Sequence, residues 1–118
     1  APGYISNNDL PYLYNGAKIF LYTSLRESFG IPLLEAMACG TPVITSNTSS
    51  MPEIAGSGVS LVDPYNIEQI ALMIQKLVND EEYYNSQKRY GLERVMNFSW
   101  EKTAIGLLKI YNSLNTSK

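Results

Sequence analysis

The sequence predicts an α/β fold, a parallel sheet with helices on its faces. Short β-branched and aromatic runs alternate with stretches of helical periodicity, the pattern of βαβ units joined by right-handed crossovers. Proline near the starts and glycine near the ends punctuate the helical stretches. The first strand runs into a polar turn with a glycine, immediately followed by a helix.

In chain order, Asn7 to Ala17 reads as a short helix, with Leu10, Leu13, Tyr14 and Ala17 at helical spacing and Gly16 near its end. Ile19 to Thr23 reads as a buried strand, and Ser24 to Gly30 as a polar turn. Pro32 to Cys39 is the next helix, stopped by Gly40, and Val43 to Ser46 the second strand. Ser50-Met51-Pro52-Glu53 has capping-box spacing and opens a short helix ending at Gly56. Val59 to Val62 is the third strand. Asp63 is placed to cap the following helix, with Pro64 just inside it. There Ile67, Ile70, Ala71, Ile74, Leu77 and Val78 form an i, i+3, i+4, i+7 stripe. A polar, tyrosine-rich helix covers Glu81 to Met96. Ser99 caps a last amphipathic helix carrying Ala104, Leu107, Leu108 and Tyr111.

Composition narrows the function. Hydrophobic residues are 45% of the 118 and charged residues 17%, an ordinary globular balance. A net charge of −2 offers no basic stripe, which argues against nucleic acid as a partner. Histidine is absent and Cys39 is the sole cysteine, which removes Ser-His and Cys-His pairs and a structural zinc. A single cysteine makes no internal disulfide and fits a reducing compartment. No apolar run is long enough to span a bilayer, and no signal-peptide pattern opens the chain. Carboxylates, hydroxyls and backbone amides are left to do chemistry.

Ligands of open parallel sheets bind at the carboxyl ends of the strands, which points to the turn Ser24 to Gly30. Gly30 admits backbone conformations closed to other residues and lets a ligand approach. The helix starting there offers unpaired N–H groups and a positive dipole end, a seat for a diphosphate. Pro32 has no N–H, so the donors are the amides of Phe29, Gly30, Ile31 and Leu33. Glu35, about one turn into the helix, can accept bonds from the vicinal hydroxyls of a ribose. Glu27 lies across the phosphate position, within reach of a group attached beyond it. A nucleotide-diphosphate sugar has hydroxyls at both ends of a phosphate linker. A glutamate in a first turn also gains dipole stabilisation with no ligand at all, so spacing alone does not decide.

The run Glu27-Ser-Phe-Gly-Ile-Pro-Leu-Leu-Glu35, continued by Ala36-Met-Ala-Cys-Gly-Thr-Pro-Val-Ile44, closely resembles the signature of the retaining family 4 (group 1) glycosyltransferases of the GT-B fold. Pro52-Glu53-Ile54, Gly58 to Val62 with Asp63-Pro64, and Phe98-Ser99-Trp100 follow in the expected order, so the resemblance covers almost the whole chain. It implies a Rossmann-like partial C-terminal domain, residues 1–118, that binds the donor. Glu35 would hold the ribose diol, Glu27 the transferred sugar as the catalytic carboxylate, and the Phe29 to Leu33 amides the sugar and diphosphate. Tyr4 and Ile5 would lie near the base. The implied reaction is sugar transfer with retention, by a same-face, ion-pair-like mechanism with no metal and no cofactor beyond the nucleotide-sugar donor. A saccharide or lipid-linked acceptor would be held by an absent N-terminal domain, which would also make any membrane-surface contact. The location implied is cytoplasmic, including the inner face of the membrane. Without that domain and the upstream basic groups, the chain is expected to be inactive alone.

Two other readings stand beside this one. A nicotinamide-dependent oxidoreductase is disfavoured because no Gly-x-Gly-x-x-Gly follows a strand. A stand-alone nucleotide-binding or interaction module is the other. Ser50 with Glu53 reads as a helix cap, Arg26 as surface and Cys39 as packing. In the strand order 3-2-1-4-5-6, Ile19 to Thr23 would be the fourth strand, with its first-strand neighbour upstream. Only Lys18 would guard that apolar edge, so a homodimer is expected through it or through surfaces uncovered by truncation.

Overall fold

The computed structural model describes residues 3–115. Its order is α1 (Leu10–Gly16), β1 (Phe20–Tyr22), α2 (Ile31–Ala38), β2 (Val43–Ser46), α3 (Met51–Ala55), β3 (Ser60–Val62), α4 (Ile67–Asn79), α5 (Glu81–Val95) and α6 (Trp100–Asn115). The three strands form one parallel sheet in the order β1-β2-β3, with Leu21 opposite Ile44 and Ile44 opposite Ser60. Among the described residues β1 pairs on one side only, and Leu21 is 44% exposed. No helix of the described residues is long and apolar enough to cross a membrane.

β2 is buried on both faces, which explains why its sequence is apolar without alternation. Val43 points into a core formed by Leu33, Ala36 and Met37 of α2, Met51 and Ala55 of α3, and Val59. Its neighbour Ile44 points the other way, onto Val62 and Leu77. The result is a three-layer α/β/α arrangement with α2 and α3 on one face and α4 on the other.

The ends of α2 obey their sequence signals. Gly40 adopts φ 71°, its N–H donates to the Met37 carbonyl, and the Thr41 N–H donates back to Ala36, which is a Schellman stop. Three expectations need correction. Asp63 does not cap α4: its Oδ1 accepts from the Tyr65 N–H in a turn of its own, and Asn66 caps instead, accepting from Gln69. Ser50 makes no capping box, because its backbone is already helical (φ −79°, ψ −13°) and its hydroxyl is engaged elsewhere. The α4 stripe is half used: Ile70, Met73, Ile74 and Leu77 pack on the sheet, while Ile67, Ala71 and Val78 are exposed.

The tyrosine-rich α5 covers the sheet and its loops. Tyr83 meets the Ser60 hydroxyl at 3.0 Å, and Tyr84 donates to the Lys18 carbonyl at 3.1 Å. Gly91 lets α5 close on Met37, since a Cβ there would lie 3.3 Å from Met37 Cγ. Ser99 accepts from the Lys102 N–H and so caps α6, whose apolar side chains find no cover: every described residue from Glu101 onward is exposed.

Tyr90 donates to the Ala55 carbonyl at 3.2 Å and lays its ring over Gly58, where a Cβ would stand 2.2 Å from Cε2. A ring fixed by that bond cannot yield cheaply. Gly58→Ala is therefore expected to destabilise the fold by about 1–3 kcal/mol through overpacking. Gly106→Ala, in open space on α6, should gain up to about 1 kcal/mol from helix propensity. Urea unfolding of both variants checks the opposite signs.

Candidate functional site

The carboxyl ends of β1 and β2 carry two facing loops, 23–30 and 47–50. A row of hydroxyls on the β2 side captures carbonyls on the β1 side. Thr45 Oγ1 donates to the Tyr22 carbonyl (2.9 Å) and Ser46 Oγ to Ser24 (2.6 Å). Further out, Ser49 Oγ donates to the Glu27 carbonyl (2.8 Å) while accepting from the Glu27 N–H (3.1 Å). Ser50 Oγ is shared between the carbonyls of Glu27 and Phe29, at 3.1 Å each. Ser49 pays for its place with φ 58°, a left-handed conformation uncommon outside glycine. These serines fix the loop that presents Glu27, and a capping-box reading conceals that role.

Gly30 ends the loop as the N-cap of α2 at φ 93°, ψ 48°, a left-handed region favouring glycine. The N–H groups of Phe29, Gly30 and Ile31 have no partner among the described residues. Leu33 departs from the expectation. Its N–H already donates to the Gly30 carbonyl at 3.0 Å, and its side chain is fully buried, so it supports the turn from below. Phe29 and Ile31 are exposed. Phe29 sits edge-on against Phe98, with ring centroids 6.1 Å apart. Beside them an open apolar groove of about 730 Å³ runs to Leu34 and Trp100.

The two glutamates have matching surroundings. Glu27 Oε1 accepts from the Tyr22 hydroxyl at 2.6 Å and from Ser24 Oγ at 3.0 Å. Glu35 Oε2 accepts from the Tyr14 hydroxyl at 2.8 Å. The second oxygen of each carboxylate has no partner among the described residues. The Tyr22 and Ser24 bonds hold the Glu27 carboxyl below the ordinary carboxylate range. Tyr22 in turn is pushed up to about 12, first by its bond to Glu27 and then by burial. Tyr14 is raised as well, by burial first and then by Glu35. Both phenols stay protonated, and so remain donors, throughout the neutral range. Tyr4 is 90% exposed, and no hydrogen bond or ring contact ties Tyr4 or Ile5 to these loops.

A parallel sheet flanked by helices, with a glycine-started helix at a strand end, is the Rossmann-like layout of a GT-B glycosyltransferase domain. The family model described as "Glycosyl transferases group 1" matches residues 1–94. The chain belongs to that family. It is similar to the O-antigen chain mannosyltransferase B of Escherichia coli, 38% identical over 112 residues, which are 95% of this chain and 29% of that protein. Among solved structures, sucrose-phosphate synthase from Thermosynechococcus elongatus superposes with a TM-score of 0.83 at 31% identity, over 98% of this chain and 30% of that one. The Anabaena protein HepE in complex with UDP-glucose shares the fold, with a TM-score of 0.79 at 22% identity, over 89% of this chain and 30% of that one. The chain thus spans less than a third of the length of each of these proteins.

The two-way bond from Ser49 to the Glu27 backbone has a direct observable. Ser49→Ala removes the acceptor of the Glu27 N–H, so hydrogen exchange at that amide is expected to rise by roughly tenfold or more. Amides of β2 should be unaffected, and exchange followed by NMR distinguishes the two.

Proposed function

We propose that this chain is the donor-binding part of a longer, retaining glycosyltransferase that takes a nucleotide-diphosphate sugar. One observation carries the reading. Two carboxylates, each with one oxygen pinned by a tyrosine and the other without a partner among the described residues, flank the start of α2, whose first amides are likewise unpaired among those residues. Carboxylate oxygens accept bonds from sugar hydroxyls, and helix-start amides donate to phosphate oxygens. The sequence of such groups matches ribose, diphosphate and sugar in order. The complex of HepE with UDP-glucose, a protein of the same fold, supports it.

In this reading Glu35 takes the ribose diol, and the amides of Phe29, Gly30 and Ile31 take the diphosphate and the near edge of the sugar. Glu27 contacts the transferred sugar on the face from which the acceptor attacks. Its lowered pKa keeps it ionised, so it can stabilise positive charge developing at the anomeric carbon. The bond to the diphosphate breaks as the acceptor oxygen bonds to the same face, and the departing phosphate oxygen takes the acceptor proton. Two phosphate charges need more compensation than amides supply, and cationic groups of the remaining enzyme provide it. The acceptor, a saccharide or a lipid-linked one, is bound by that remaining part.

The two glutamates should separate in the full-length enzyme. Glu35→Ala is expected to weaken both donor and free nucleoside diphosphate by about tenfold or more, the worth of a bond to a charged group. Glu27→Ala should leave nucleoside diphosphate affinity nearly unchanged and depress turnover. Calorimetry and steady-state kinetics check this, and unaltered nucleotide affinity in Glu35→Ala removes the ribose assignment.

The 118-residue chain by itself should show no transfer and bind uridine or guanosine diphosphate only weakly, because charge-assisted phosphate contacts are about twice as strong as neutral ones. A complex of about micromolar affinity in calorimetry contradicts this.

A further inference from the structure

The donor reading assigns tasks to Glu27 and Glu35 and none to the tyrosines beneath them. Tyr14 lies on α1, 21 residues before Glu35, and Tyr22 at the end of β1, five before Glu27. Phe20 stands between the two: its ring is 5.4 Å from Tyr14, edge to face, and 5.7 Å from Tyr22, stacked. The three rings form one ladder with a hydroxyl at either end, and each hydroxyl ends on a different glutamate.

Both tyrosines are held at the backbone in the same manner. Thr41 Oγ1 donates to the Tyr14 carbonyl at 2.6 Å, and Thr45 Oγ1 to the Tyr22 carbonyl at 2.9 Å. Both threonines are buried, and their hydroxyls are committed to these bonds. The rings are thus fixed from two directions, by stacking and by backbone tethers from the residues that flank and form β2. An exposed glutamate loses rotamer freedom on meeting a ligand; a pinned one has already lost it.

We propose that Tyr14 and Tyr22 are positioning residues for glycosyl transfer. Each pins one carboxylate oxygen so that the other is aimed at a donor hydroxyl, Tyr14 serving the ribose end and Tyr22 the sugar end. The inference rests on the donor-binding reading of Glu35 and Glu27. Phenylalanine keeps the ring and its stacking and removes only the hydroxyl, so it isolates the pinning from the packing. The hydroxyls also differ in chemical effect. Tyr22 is the first cause of the low Glu27 pKa, so without it the Glu27 carboxyl rises toward its ordinary range. The ionised form, present in wild type down to lower pH, is then lost at higher pH.

The test uses the full-length transferase with Tyr14→Phe and Tyr22→Phe beside the two glutamate-to-alanine variants. Tyr14→Phe is expected to weaken nucleoside diphosphate binding by roughly tenfold, the effect of losing a bond to a charged group. Tyr22→Phe should leave that affinity within about twofold, lower kcat by roughly tenfold, and move the acid limb of the pH–rate profile upward. A role in packing alone moves neither the acid limb nor the division between binding and turnover. Wild-type kinetics and an unmoved acid limb in the phenylalanine variants, with impaired glutamate variants, overturn this inference and leave the donor reading intact. Wild-type behaviour of the glutamate variants overturns both. Should a tyrosine variant be poorly stable, carbon-13 titration of the Glu27 carboxyl in its folded fraction still decides. A raised midpoint in Tyr22→Phe supports the pinning, and an unchanged one overturns it.

Discussion

The site depends on the parallel pairing of β1 with β2, carried past the end of the sheet by side chains. Backbone pairing matches Phe20 with Val43 through Tyr22 with Thr45 and then stops. Hydroxyls of Thr45, Ser46, Ser49 and Ser50 take over, bonding carbonyls from Tyr22 to Phe29. A loop normally frays where its ladder ends, because carbonyls turn to water. Here side-chain hydroxyls substitute for the missing strand and tie a polar loop of eight residues to its neighbour. Among the described residues no buried side-chain nitrogen or oxygen lacks a partner, as such polar stitching requires.

That arrangement explains how two carboxylates are held in fixed directions above an otherwise modest core. The apolar clusters lie beneath the strands and α2, and the two glutamates are not among their members. Their geometry comes from hydrogen bonds, which are directional where hydrophobic burial is not. The core locates α2 and β1, and the tyrosine and serine hydroxyls convert those locations into carboxylate directions.

Much of the fold was legible in sequence. Helix α2 announces itself through Pro32 and Gly40, β2 through its unbroken apolar run, and Glu27 and Glu35 through their positions around Gly30. What could not be read was partnership across distance. Tyr14 looks like one more member of an apolar helical stripe, since nothing local connects it to a glutamate 21 positions on. Ser50 fits a capping box equally well on paper, because the competing carbonyls of Glu27 and Phe29 belong to another loop. Asp63 and Asn66 are both good caps by type, and a turn at Tyr65 decides between them. Periodicity marked Ile67 and Val78 as core. Yet both lie exposed near the two ends of α4, and the packed residues are the ones between them.

The groove beside Phe29 has one more property, an optical one. Trp100 is the sole tryptophan of the chain, and it stands 83% exposed at the mouth of that groove, on the first turn of α6. An indole in water emits at long wavelength, and one enclosed by apolar groups emits further to the blue. The molecule therefore carries a native fluorophore next to the start of α2, in a place where every other aromatic ring is a phenol or a phenyl. Whatever settles on that side of the helix, whether polypeptide, lipid or solvent alone, writes its polarity into the colour of a single residue.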